Sequence, residues 1–485
     1  MPKEFIVAIE LGSSKIKGVA GQKNLDGSIT VLAVVEEDSS SCIRKGVIYN
    51  IDKTVQCLTS IIKKLKTILK QEITQVNVGV GGRSIRSVKN IIVKDLPDHT
   101  LISQEMINEL MDINRNMTYP DQEILDAATQ EYKIDNQYQI DPVGIQCKHL
   151  EGIFLNILWR KNFYNNINTC FENANIAIAD MYLAPLAMAD STLTDSEKRS
   201  GCMLVDLGAD TTTVSVYYKG ILRHLSVIPL GGNNITKDLT CLQIEEGDAE
   251  KLKIKYAKAY TDSNNIDPTL SYSIDRERTV ESKKFIEIVE ARVEEIVENA
   301  WFQVPVEYSD KLLGGIILTG GGSNMPEIDR VFKTHTHIDK IRIAKFVTQT
   351  INSKDSKITN HNGTTNTLLG LLAKSNMNCA GEEIGNDLFS NKVDKASTTE
   401  PHKVPRNPNE TAGTGVVLTA AEKLKVEEEL RKKREADEEE EKKRIIAEEE
   451  EKKRIAEEKR EKSLLHKGVK SIKNFFKNMI TEEDE

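Results

Sequence analysis

The sequence predicts an α/β protein whose body consists of two lobes of related build, followed by segments that add no core. Three observations carry this expectation. One supersecondary unit occurs twice, in the order apolar strand, acid, glycine turn, strand, turn, strand. A further glycine cluster follows a strand of buried type. Finally, the composition of the 485-residue chain changes near Cys379, beyond which apolar residues thin out. A chain of this length exceeds what one core serves, since domains run to about 100–200 residues.

The first copy of the unit runs from Phe5 to Leu11 (FIVAIEL), turns at Gly12-Ser13-Ser14, returns from Lys15 to Gly21, turns at Asp26-Gly27 and continues from Ser28 to Val35. The second runs from Cys202 to Leu207 (CMLVDL), turns at Gly208-Ala209-Asp210, returns from Thr212 to Tyr217, turns at Lys219-Gly220 and continues from Ile221 to Ile228. Turns rich in glycine and serine leave backbone N–H groups able to point at one place, which suits an anionic phosphate. Two such hairpins facing each other could clamp a polyphosphate, with Glu10 and Asp206 holding a hydrated Mg²⁺ between them. Two ordinary β-meanders would explain each unit singly; their occurrence as a pair favours the clamp. The third cluster, Gly320-Gly321-Gly322-Ser323, follows the strand Ile316 to Thr319, and Pro326 is expected to open a helix through Phe332. Consecutive glycines let a flat ring approach the backbone with no Cβ in the way. There is no GxxxxGK[ST] loop, which disfavours a P-loop NTPase.

Composition narrows the function classes. The net charge of -9 argues against a nucleic-acid binder, which would show a basic face. Seven cysteines (Cys42, Cys57, Cys147, Cys170, Cys202, Cys241, Cys379) are scattered without a CxxC pair, against a zinc site or disulfide framework and for a reducing compartment. The N-terminus, MPKEFIVAIELG, reads as an immediate strand and not as a signal peptide. No apolar run reaches the ~18 residues of a membrane span, so membrane contact is expected to be peripheral.

The order of these motifs resembles that of the actin superfamily of ATPases, shared by actin, heat-shock chaperones and sugar kinases. Val7 to Lys15, Val205 to Gly208 and Leu318 to Ser323 match its phosphate-one, phosphate-two and adenosine motifs. Over roughly residues 3 to 375, and again at its C-terminal tip, the chain resembles the FtsA family of bacterial cell-division proteins. Supporting stretches are Val227 to Thr236, Asp248 to Lys253 and Leu368 to Leu372. The resemblance implies an actin-like (ribonuclease H-like) two-lobed ATPase fold with ATP and Mg²⁺ as cofactors. Gly12, Ser13, Ser14 and Lys15 would meet phosphates from one side, and Gly208, Ala209, Asp210 and Thr211 from the other. Glu250 and Lys253 would reach ribose and adenine, and Gly320, Gly321, Gly322 and Ser323 would carry the adenine ring.

Two departures matter. The second hairpin of relatives reads D-h-G-G-G-T-x-D (h apolar), whereas Ala209 and Asp210 here bring a methyl and a negative charge to the turn. In addition, Leu183-Ala184-Pro185-Leu186-Ala187 offers no carboxylate where hydrolysing relatives place a water-orienting Gln or Glu. Nucleotide binding with slow or absent hydrolysis is the expectation.

The resemblance further implies a discontinuous body. Lobe I would combine 1–83 with 163–197 around an inserted small α/β domain, 84–162. That domain would hold strands at Ser87 to Val93, Gln130 to Ile134 and Phe154 to Trp159, and a helix capped by Ser103. Lobe II would combine 198–230 with 310–375. Between these, 231–309 would form a helical subdomain, including a helix from Val280 to Phe302, that receives the C-terminal peptide of the tubulin-like protein FtsZ.

The remainder reads as a flexible linker over 376–419, a charged single helix over 420–462 and an amphipathic helix over 463–485. In the charged segment Glu residues lie four before Lys or Arg, the favourable order for helix pairs, and its length would be ~60 Å. On a helical wheel Leu464, Leu465, Val469, Ile472, Phe475, Phe476, Met479 and Ile480 fall within an arc of ~160°. Lys467, Lys470, Lys473 and Lys477 occupy the adjoining arc. Such a face suits an anionic membrane surface, each lysine adding ~1 kcal/mol. Taken together, the expectation is an adaptor on the cytoplasmic face of the inner membrane at the division site, self-associating, binding FtsZ and recruiting further division proteins. A sugar-kinase-type phosphotransferase, a pilus-assembly adaptor and a chaperone are the rivals.

Overall fold

The structure is a computed structural model that describes residues 4–262, 269–274 and 278–383. The chain divides into two units, Met1–Asp394 and Lys395–Glu485, and all described residues belong to the first. The charged helix expected over 420–462 and the amphipathic helix expected over 463–485, with its membrane-facing leucines, phenylalanines and lysines, lie outside the described residues.

The strand Ile6–Leu11 is buried at every position except Glu10, which is half-buried, and Cys202–Leu207 repeats the pattern with Asp206 as the half-buried residue. Strands so uniformly apolar need cover on both faces and sit centrally in sheets. Each does. In lobe I the sheet order is Ala177–Leu183, Gln75–Val80, Ile6–Leu11, Lys15–Lys23, Ile29–Asp38, Ile351–Asn352. In lobe II the corresponding order is Ile341–Ile343, Gly315–Thr319, Cys202–Leu207, Thr212–Tyr218, Ile221–Ile228. Both contain a three-strand antiparallel meander whose first strand pairs in parallel with a later strand, which in turn pairs in parallel with another. The repeat read from three strands therefore extends to five.

Helices cover these sheets. Asn50 caps Ile51–Leu69, accepting the Lys53 N–H at 3.0 Å, and Leu58, Ile61, Ile62, Leu65 and Leu69 face the lobe I sheet. On its other face Asn366–Lys374 packs against Ala184–Thr192 so closely that a Cβ on Gly370 would lie 2.4 Å from the Ala187 carbonyl oxygen. Lobe II carries Gly232–Leu239, Glu246–Tyr256 and Ser282–Phe302, with Phe285, Val289, Val293, Ile296, Val297 and Ala300 buried along the last.

The inserted segment forms three long strands, Arg86–Leu101, Gln122–Ile134 and Gln146–Arg160, and a helix, Gln104–Arg115, capped by Ser103. Its sheet does not stand alone. Arg86 pairs with Ser226, and Ser87 Oγ accepts the Leu225 N–H at 2.8 Å, so strands of the insertion and of lobe II form one nine-stranded sheet. Arg223, 3% exposed at its side chain, reaches from lobe II to Glu131 of the insertion at 2.8 Å.

Some elements differ from expectation. The insertion strands are longer than their apolar runs because their outer faces carry charge, as in the pairs Lys133–Glu151 and His149–Asp95. The long helix begins at Ser282 and not at Val280, since Thr279–Glu281 pair with Ser271–Ser273. Pro326 precedes its helix, which runs Ile328–Thr336, and Gly321–Asn324 form a 3₁₀ turn first. The flexible linker expected from residue 376 begins too early. The Cys379 N–H donates to the Phe5 carbonyl at 2.8 Å, and Ala380–Glu383 pair with Gln71–Ile73, satisfying the backbone of an otherwise short edge.

Removing a buried cation strands its partner charge, a loss of roughly 3–5 kcal/mol when both are fully enclosed. Glu131 retains 24% exposure, which softens the loss. Arg223→Ala is expected to lower the unfolding free energy of the body by about 2–4 kcal/mol, read from the urea midpoint, with Arg223→Met recovering only the packing part.

Candidate functional site

The two meanders turn within matching four-residue loops. Leu11 pairs with Ile16 across the first and Leu207 with Thr212 across the second. Both loops begin with a glycine pressed against the loop's own end. A Cβ on Gly12 would lie 2.7 Å from the Lys15 carbonyl oxygen, and one on Gly208 would lie 2.7 Å from that of Thr211. The loops open onto a single cavity of about 640 Å³ between the lobes.

Gly12, Ser13, Ser14, Lys15, Gly208, Ala209 and Thr211 line this cavity, as do Glu10, Asp206, Glu250, Lys253, Gly320, Gly321 and Gly322. Two of the expected residues do not. Ser323 is buried behind the wall, where its hydroxyl donates to the Gly320 carbonyl at 2.7 Å. Asp210 is not among the lining residues; it accepts the Lys45 N–H at 3.0 Å and Asn233 Nδ2 at 2.7 Å. The charge that the sequence brings to the second turn is thus taken up by Lys45 and Asn233.

Glu10 and Asp206 occupy the equivalent, next-to-last positions of the two central strands. Burial raises the Asp206 carboxyl to about 6, the neighbouring Glu10 charge adds to the rise, and the Lys17 ammonium opposes it. Glu10 Oε2 is buried without a hydrogen-bond partner, since Lys17 Nζ stands 3.7 Å away. An orphaned carboxylate oxygen beside a second carboxylate fits a hard, hydrated cation such as Mg²⁺. Gly320, at φ 83°, passes so close that a Cβ there would lie 2.2 Å from Asp206 Oδ1. Here only glycine fits.

At the cavity's other end Lys253 is held rigidly. It donates to the Gly232 carbonyl at 3.0 Å, to Thr236 Oγ1 at 2.8 Å and to Glu250 Oε2 at 2.6 Å, and the Thr236 hydroxyl also bonds to Glu250. Lys253 is 11% exposed at its side chain, against 79% for Lys251 on the same helix, so the pair is not an ordinary solvated face. Ile254, Ala257, Val293, Ile296 and Met325 give this end an apolar lining. Lys15 lies at the rim in an ion pair with Glu36 at 2.6 Å.

Sequence reasoning missed several lining residues. Lys17 was legible in principle, because a hairpin that places Glu10 next to last puts Lys17 directly opposite it. Asn362-Gly363 carries a recognisable turn signal, with Gly363 at φ 75°. Gly81 and Gly82 reach the cavity through tertiary packing alone, whereas Ala184 and Pro185 come from the stretch already placed there by the resemblance.

Two lobes of one topology, closing on a cavity with paired glycine turns and paired carboxylates, define the actin-like class. A solved structure of that build, the PilM-PilN type IV pilus biogenesis complex, superposes with a TM-score of 0.54 at 12% identity, covering 76% of this chain and 98% of the other, a likeness of fold alone. Family models place the chain more narrowly. Residues 203–360 match "Cell division protein FtsA" and residues 82–158 match "SHS2 domain inserted in FTSA". Among relatives, the cell-division protein FtsA of Porphyromonas gingivalis is 32% identical over 324 residues, 65% of this chain and 68% of the relative. That of Neisseria meningitidis serogroup B is 32% identical over 67% of this chain and 80% of its own length. That of Bacillus subtilis is 30% identical over 67% and 75%. The chain belongs to the FtsA family of cell-division proteins.

The raised Asp206 carboxyl makes a stability prediction. Its folded value, about 6, lies above the unfolded value of 3.8, so ionisation costs the folded state more than the unfolded one. The penalty is absent below about pH 4, grows as pH climbs to about 6 and is complete above, reaching roughly 3 kcal/mol at most, since the carboxyl opens onto the cavity. Asp206→Asn is therefore expected to stabilise the ligand-free protein at pH 7.5 and not at pH 4, measured as the difference in melting temperature at the two values.

Proposed function

We propose that this FtsA-family chain binds ATP with Mg²⁺ in the cleft and uses it to favour an assembling form on the inner face of the cell membrane. The observation that carries the reading is the convergence of two matched glycine turns, each preceded by a carboxylate, on one cavity. In it Gly12 to Lys15 and Gly208 to Thr211 flank the phosphates, while Glu10 and Asp206 hold Mg²⁺ through water. The Lys253–Glu250 pair meets ribose and base, and Gly320 to Gly322 back the ring. A bound triphosphate touching both turns lowers the energy of the closed arrangement and so shifts the population toward it.

Hydrolysis is slow or absent, because Ala184 and Pro185 line the cavity where an activating carboxylate would stand. ATP then acts as a structural switch. Residues 463–485 supply the membrane anchor by their apolar face and flanking lysines. Each anchor is weak, and self-association multiplies it by avidity. The helical subdomain over 231–309 receives the FtsZ C-terminal peptide, tying FtsZ filaments to the membrane and recruiting later division proteins.

Two measurements test this. Calorimetry is expected to show saturable binding of ATP with Mg²⁺, weakened about tenfold by Lys253→Ala through loss of charge-assisted hydrogen bonds; no heat in the unaltered protein rejects the nucleotide reading. The full chain is expected to co-sediment with vesicles containing anionic lipid, and the chain lacking 463–485 to remain in the supernatant. Equal partition of the two rejects the anchor.

A further inference from the structure

Asp210 stands in a turn where relatives in the actin superfamily carry glycine, and both of its oxygens are in use. Oδ1 accepts Asn233 Nδ2 at 2.7 Å, and Asn233 belongs to the helix Gly232–Leu239 of lobe II. Oδ2 accepts the Lys45 N–H at 3.0 Å, and Lys45 lies between the short paired strands Ile43–Arg44 and Val47–Ile48 of lobe I. One carboxylate therefore spans the lobes. The connection continues: the Gly46 N–H donates to Ser13 Oγ at 2.8 Å, and the Lys45 carbonyl accepts the Arg83 N–H at 3.1 Å. A path of hydrogen bonds thus runs from the second glycine turn through Asp210 and the Lys45-Gly46 turn to Ser13 in the first.

The Lys45-Gly46 turn is fixed in shape. Lys45 has φ 52° and Gly46 φ 71°, and a Cβ on Gly46 would lie 2.3 Å from the Cα of Gly82. A turn so confined presents its two N–H groups in one direction only, and Asp210 and Ser13 are the acceptors they meet. Glycine at position 210 would supply no acceptor. Asparagine would keep one oxygen for the Lys45 N–H without the charge, and its amide could donate to Asn233 Oδ1 once that side chain turned over, so it weakens the connection less than glycine does.

We propose that Asp210 is an interlobe tie, a positioning residue that sets the separation of the two glycine turns and slows their parting. Ligands enter and leave the cavity as the lobes separate, so the Lys45–Asp210 bond must break for each passage. Taken with the reading under Proposed function, on which this consequence rests, the tie lowers both the entry and the release rates of nucleotide while altering affinity little.

Hydrogen exchange on the nucleotide-free full chain reads the tie directly. The Lys45 and Gly46 amides are expected to be protected in the unaltered protein and to exchange about tenfold faster in Asp210→Gly, Lys45 by loss of its charge-assisted hydrogen bond and Gly46 as its turn is released, with a smaller rise in Asp210→Asn. Amides within Ile51–Leu69 are expected to keep their protection in both variants. Stopped-flow mixing with a fluorescent ATP analogue and Mg²⁺ is expected to show association and dissociation rates both raised about tenfold in Asp210→Gly. Unchanged exchange at Lys45 and Gly46 in Asp210→Gly overturns the tie, as does faster exchange shared equally by Ile51–Leu69. If neither protein binds the analogue, the nucleotide reading fails, and the exchange comparison still decides whether the tie exists.

Discussion

Two tight turns made by distant stretches of chain must face one another across a space wide enough for a ligand, and the rest of the body serves that constraint. Each turn starts with a glycine whose missing side chain lets the loop close on its own carbonyl. Each is held at the end of a central strand covered on both faces. Because the strand order is the same in both lobes, the turns and the carboxylates before them arrive as equivalents. Equivalence puts like charges together. Burial and the Glu10 charge both raise the Asp206 carboxyl, so holding both acids ionised at this site costs folding stability.

How much of this could be read in advance follows from what each residue answers to. Central strands announce themselves, since FIVAIEL and CMLVDL are apolar on both faces and end at glycine. The Ser103 cap was equally plain, being a local hydrogen-bond preference. Strands of the insertion were underestimated because an exposed face with charged cross-strand pairs does not register as apolar periodicity. The segment after residue 376 looked like linker since its sequence is polar, yet an open sheet edge near Gln71 offered it backbone partners that no periodicity encodes. Within the site, residue types were legible and directions were not. Asp210 was recognisable as an intruder in its turn; where its carboxylate goes depends on Lys45 and Asn233, which only the fold brings near.

The insertion complicates a picture of two lobes hinged freely. It leaves lobe I after Gly82-Arg83 and returns at the helix Lys161–Asn173, but its sheet continues into that of lobe II and Arg223 binds it there. The residue pair in register, the Ser87–Leu225 hydrogen bond, the Arg223–Glu131 ion pair and the apolar packing of Leu155 and Ile157 with Leu222 and Leu225 make the seam. The seam means that parting the lobes must either strain it or carry the insertion along. Cleft geometry and insertion position are therefore mechanically linked, with Arg83, bonded to Lys45, at the junction of both.

The internal repeat also shows where symmetry has been broken to purpose. Across the first hairpin Glu10 faces Lys17; across the second Asp206 faces Thr213. Two acids thus share one cation supplied by the chain, and Lys17 divides itself further by donating to the Thr364 carbonyl. A second lysine in place of Thr213 would neutralise the pair and leave nothing for a metal ion to do. With one, the charge left over sits beside a carboxylate oxygen that accepts no hydrogen bond, in a cavity flanked by turns suited to anions. Such a site fits a divalent cation, which in turn would take up phosphate oxygens. Ligand and metal would then complete the same charge balance, which lets occupancy of the cleft alter the energy of a whole two-lobed body.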